Sequence, residues 1–137
     1  MCAKIPQTGL EWLRRFERTR TRLQVDLEVG SPDVERLLAL QFAEGAMLIL
    51  EDGYVILLGK EPTVSAVLEE HAHVLQAHRS RFSDAPTGEQ ILLREIEVAE
   101  CLEDHSDQFA IPEVERARTV GLLQQYRNEL AAIRRWQ

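Results

Sequence analysis

The segment Leu68-Glu69-Glu70-His71-Ala72-His73 is the densest group of chemically capable side chains in this 137-residue sequence. On a helix, Glu69 and His73 stand at i and i+4, on one face and about 6 Å apart, close enough to share one cation. Glu70 is adjacent to Glu69 and three residues before His73. Two ligands at i and i+4 around a glutamate are how an H-E-x-x-H helix holds zinc and activates the attacking water. Glu69 stands where the first histidine would be, and a carboxylate oxygen also binds zinc. The same residues also describe an ordinary solvated helix face.

A catalytic zinc takes three protein ligands and keeps one open position. The third must come from another element, and a helix expected over residues 89–109 offers Glu95, Glu97 and Glu100. Glu97 has Leu93 at i−4 and Cys101 at i+4, and Glu95 lies beside the Leu92, Ile96 and Ala99 stripe, so either can turn inward. His71, between Val67 and Leu75, reads as a hydrogen-bonded histidine at the core edge, and His78 continues that stripe. His105, beside Asp104 and Asp107, reads as exposed. Cys101 reads as a small buried hydrophobe within one turn of Glu97. Glu113 and Glu115, after Pro112, suit the positive end of the last helix without a catalytic role. Other schemes fail quickly. A di-metal bundle needs a second E-x-x-H, and no glutamate after residue 73 has a histidine three positions on. There is no G-x-S-x-G elbow and no glycine-rich phosphate loop.

The elements that must position these groups are readable from periodicity. Leu10, Leu13 and Phe16 with Trp12 form a short amphipathic pattern ending near Arg22. Leu23, Val25, Leu27 and Val29 alternate with polar residues as a strand closed by Gly30. Ser31-Pro32 opens a helix that buries Val34, Leu37, Leu38 and Phe42, stopped by Gly45. The apolar runs 46–50 and 54–58 flank Glu51-Asp52-Gly53, a hairpin signal. Pro62 then begins the Glu69–His73 helix, ending near Phe82, and residues 83–88 form a loop. After the 89–109 helix, Pro112 opens a last helix with Val120, Leu123, Tyr126, Leu130 and Ile133 inward. The expected class is α+β: a short antiparallel sheet or hairpin followed by three C-terminal helices, one domain over 1–137. Within it, 1–22 is a basic helix, 23–60 holds strands and a helix, and 61–137 holds the metal-site helices and the last helix.

Composition narrows the classes. With 45% hydrophobic and 28% charged residues, the chain can bury a core and is unlike disordered sequence. Net charge is −7, but six basic residues face two acidic ones in residues 1–22, so the remainder carries −11. An acidic body repels phosphate backbones, which argues against nucleic acid as a partner. No apolar run is long enough to span a bilayer, and no signal peptide is visible. Cys2 and Cys101 form neither a disulfide framework nor a cysteine-rich zinc site.

From Val67 to Leu130 the sequence resembles the zincin-like metallopeptidase toxin domains of bacterial polymorphic toxins. The likeness rests on Leu68-Glu69-Glu70-x-x-His73-Val74-Leu75-Gln76, Glu95-Ile96-Glu97-x-x-Glu100, Ile111-Pro112-Glu113 and Tyr126-Arg127-Asn128. It implies a zincin-like fold and zinc-dependent peptide hydrolysis, with Glu70 as general base and Glu69, His73 and Glu97 around Zn2+. It further implies a protein or peptide substrate and a cognate immunity protein that blocks the cleft. The chain would then be cytoplasmic, or delivered as part of a larger toxin. The competing expectation is a non-catalytic protein-interaction domain on the same α+β scaffold, meeting a partner through its basic N-terminal helix or its last helix.

Overall fold

Nine elements follow one another in the computed structural model, which describes residues 4–136; Cys2 lies outside them. They are α1 (Gly9–Arg15), α2 (Glu17–Leu23), β1 (Val25–Val29), α3 (Pro32–Leu40), β2 (Gly45–Leu50), β3 (Gly53–Leu58), α4 (Val64–His78), α5 (Thr87–Asp104) and α6 (Glu113–Arg135). Local chemistry sets several boundaries. Thr8, Ser31 and Thr63 each accept a hydrogen bond from a backbone N–H in the first turn of the helix that follows. Pro32 stands in the first turn of α3, where its missing N–H costs nothing.

The sheet order is β1-β3-β2. β2 and β3 form the expected antiparallel hairpin, whereas β1 runs parallel to β3, so the sheet is mixed instead of purely antiparallel. The cause is the connection: α3 and β2 lie between β1 and β3, and that length of chain returns the third strand in the direction of the first. β3 is central and its side chains alternate. Ile56 and Leu58 join the main core with Trp12, Leu13, Val64, Val67, Leu68, Val74, Val98 and Leu102. Leu57 faces the other way, against Val34 and Leu38 of α3. The result is an α+β domain whose sheet carries α3 on one face and α4 on the other.

Several local expectations are corrected. The first amphipathic pattern breaks at Phe16 into two helices, and Phe16 stacks on Trp12 at 5.7 Å and on His71 at 4.5 Å. Phe42, expected in the core, follows α3 in the left-handed region (φ 52°) and is 95% exposed. α5 ends at Asp104, and a turn carries the chain to α6. Val120 is exposed, as are His78 and Cys101, whose sequence neighbours suggested burial. Among the described residues no helix is long and apolar enough to cross a membrane.

Candidate functional site

α4 is two-sided. Val64, Val67, Leu68, His71 and Val74 point into the core, and Glu69, Glu70 and His73 line a cleft of about 480 Å³. The cleft is walled by the start of β2, by Arg94 and Glu95 of α5, and by Arg118 and Tyr126 of α6. The start of α4 is fixed by its own N-cap and by the last helix. Thr63 Oγ1 accepts from Ala66 N at 3.0 Å, and Glu115 Oε1 accepts from Ser65 N at 2.8 Å. Glu115 thus serves the positive end of α4 as well as its own first turn.

His73 is held on both ring nitrogens. Nε2 lies 3.3 Å from Glu95 Oε1 across the α4–α5 contact. Nδ1 lies 2.9 Å from Gln76 Oε1. Burial disfavours the charged ring, but the hydrogen bond and charge of Glu95, with Glu70 and Gln76 adding to them, raise its pKa to about 9.

Glu69 and Glu70 are the electrostatic anomaly. Burial is the main cause of a rise to about 7 in both carboxyls. For Glu69 the cation of Arg118 opposes the rise and Glu95 adds to it; for Glu70 His73 opposes it and Glu69 adds to it. Gly45 makes room for Glu70. A Cβ there would stand 3.0 Å from Glu70 Cγ and 3.2 Å from its Oε2, so the first residue of β2 lets the strand pass close to the carboxyl. Tyr126 is pushed up to about 12, by burial and then by the negative charges of Glu95 and Glu69, which keeps its hydroxyl a donor.

The structure brings Glu69, Glu70, His73 and Glu95 to one cleft and turns Glu97 elsewhere. Glu97 pairs with Arg81 and accepts from Gln76 Nε2 at 3.0 Å, and the Arg81 hydrogen bond holds its carboxyl below the usual range. Glu95, one of three candidates on this helix, takes the place opposite His73, and Glu100 pairs with Arg127. His71 is the core-edge histidine its neighbours suggested. Its Nδ1–H donates to Val67 O at 2.7 Å, and Nε2 is 3.1 Å from an Arg20 guanidinium nitrogen, so the ring is neutral. Burial first, then Arg20, lowers its pKa to about 4 despite the Val67 bond. His105 is exposed, as expected, with Nδ1 3.0 Å from Cys101 O. Gly45, Arg94 and Arg118 have no spacing signal of their own; only packing assembles them here.

Among the described residues no group of three or more His, Cys, Asp or Glu side chains is placed to hold a metal ion. The chemistry of the donor set still suits zinc: one imidazole with its Nδ1 engaged, and carboxylates from two helices. Comparison with protein-family models, curated proteins and solved structures finds no match.

Proposed function

We propose that this cleft is a zinc-dependent peptidase site in which Glu69, His73 and Glu95 hold the cation and Glu70 is the general base. The observation that carries the reading is the 3.3 Å approach of His73 Nε2 to Glu95 Oε1, beside two buried carboxyls. Donors about 2.0–2.1 Å from a tetrahedral zinc lie roughly 3.3 Å from each other, so this pair has the spacing of two ligands of one ion. Glu69 lines the same cleft one turn before His73 on α4 and is the third donor in this proposal. When bound, zinc supplies a Lewis acid that polarises the scissile carbonyl and acidifies water. Glu70, buried and with its carboxyl tuned to about 7, takes the proton from the attacking water and returns it to the leaving amine. Arg118 and the protonated Tyr126 provide donors for the carbonyl oxygen as it gains charge. The substrate is a peptide segment entering between α6 and the free edge of β2. The likeness to toxin domains extends the proposal to an effector domain, whose immunity protein would block the same cleft.

Elemental analysis tests it. The purified protein is expected to carry or take up close to one zinc per chain. His73→Ala and Glu95→Ala lose it, and Glu97→Ala keeps it. Glu70→Gln keeps the zinc and loses hydrolysis of an unstructured protein substrate. A protein that holds no metal and takes none up overturns the reading.

A second reading, a non-catalytic interaction domain, is favoured by one specific feature. Leu40, Phe42, Leu48, Ile49 and Leu50 are all exposed on the end of α3 and on β2, more apolar surface than an isolated edge strand needs. On that reading Glu70→Gln changes little, and Ile49→Lys weakens partner capture.

A further inference from the structure

We infer that Phe42 and Ile91 form an apolar subsite of the α4 cleft, selecting a peptide with a large apolar side chain beside the bond that is cut. This rests on the peptidase reading above and gives it a substrate preference.

Phe42 stands where the fold has least use for it. At the end of α3, Phe42 N–H donates to Ala39 O at 3.2 Å and Ala43 N–H to Leu38 O at 2.9 Å. This helix-ending pattern puts Phe42 in the left-handed region (φ 52°), where glycine is the usual residue and a bulky one is strained. Phe42 is also 95% exposed, so no packing offsets the strain. It nevertheless lines the cleft, whereas Leu40, Leu48, Ile49 and Leu50 of the adjoining apolar surface do not. Three residues further on, Gly45 abuts Glu70.

Ile91 is its counterpart on the α5 wall. Ile91, Glu95, Val98 and Leu102 share one face of α5. Val98 and Leu102 enter the core, and Ile91 and Glu95 continue that face along the cleft. Ile91 is thus a core-facing residue left uncovered, the one exposed large hydrophobic of α5. It stands one turn before Glu95, and one turn is about 5.4 Å along a helix axis. Two residues of extended peptide span about 6.6 Å. A peptide with its scissile carbonyl beside Glu70, His73 and Glu95 therefore brings a side chain one or two residues away to Ile91 and Phe42. Covering both removes apolar surface from water, which favours leucine, phenylalanine or methionine there over a polar residue.

The zinc-loaded protein is given casein, and mass spectrometry reads the residues flanking each bond cut. The wild type is expected to cut next to large apolar residues. Phe42→Gly and Ile91→Asn are each expected to lower kcat/KM about 10-fold for an alanine-rich peptide carrying one leucine, relative to the same peptide carrying asparagine. Phe42→Gly is also expected to unfold a few degrees above the wild type, because glycine relieves the strain. Cleavage without an apolar preference, or with one that either variant keeps, overturns the inference and leaves the peptidase reading standing. So does a Phe42→Gly protein that unfolds at a lower temperature, since the ring would then serve the fold. If casein is not cut, fluorescein-labelled leucine and asparagine peptides are compared by anisotropy on the wild-type chain. Tighter binding of the leucine peptide, lost in Phe42→Gly, keeps the subsite while the peptidase reading falls; equal binding, or none, overturns both.

Discussion

Glu70 is 7% exposed and its neighbours include two other carboxylates, so ionising it opposes folding. Its folded value of about 7 lies above the ordinary 4.5. The penalty is therefore fully present above pH 7 and fades as pH falls towards 4.5, where folded and unfolded chains both hold the proton. Glu70→Gln mimics the protonated acid. In chelator it should stabilise the protein at pH 8 by on the order of 2 kcal/mol, with most of the gain gone at pH 5. Thermal unfolding at the two pH values checks this. A variant that is more stable yet inactive is the signature of a group placed for chemistry at the expense of stability. That Glu69 and His73 share one face of α4 was readable from their i, i+4 spacing, but which of Glu95 and Glu97 faces His73 was not. Two positions on a helix differ by about 200°, so the pair point to opposite sides. The apolar neighbours of Glu97 marked a face that packs by Gln76 and Arg81, and only the crossing of α4 and α5 decides which face meets His73.

Elements with strong local signals were legible: the Asp52-Gly53 hairpin, the Ser31-Pro32 start of α3 and the helix after Pro62 form as their patterns require, and so does the strand over residues 25–29, although Leu23, the first residue of its pattern, ends α2 instead. What was not legible depended on long-range contact. The parallel pairing of β1 with β3 has no periodicity of its own, and the break at Phe16 follows from stacking on a histidine 55 residues further along the chain. Gly9 shows the same dependence. It reads as an unremarkable residue before an amphipathic stretch, yet it is buried and a Cβ there would run into the carbonyl oxygen of Pro62. Because that obstacle is backbone, the approach of α1 to the start of α4 would have to loosen. Gly9→Ala should destabilise by about 1–3 kcal/mol despite the better helix propensity of alanine. Urea denaturation measures it, and an unchanged midpoint would mean that α1 does not seat as described.

Across the whole molecule, distant parts of the chain meet at α4. α1 packs on it, β2 and β3 lie beneath it, α5 supplies Glu95, and α6 supplies Glu115, Arg118 and Tyr126. Removing the Glu115 carboxylate leaves the Ser65 N–H without that acceptor in a residue only 2% exposed. Glu115→Ala should cost about 1–3 kcal/mol, whereas Glu113→Ala, on the exposed side of the same turn, should cost a few tenths at most. A comparison of their unfolding midpoints reads the difference. The dependence of α4 on α6 also has a consequence in time. Translation delivers the Glu69–His73 helix some forty residues before Glu115 and more than fifty before Tyr126. A nascent polypeptide thus carries its reactive side chains without the wall that completes their enclosure until the final helix has left the ribosome.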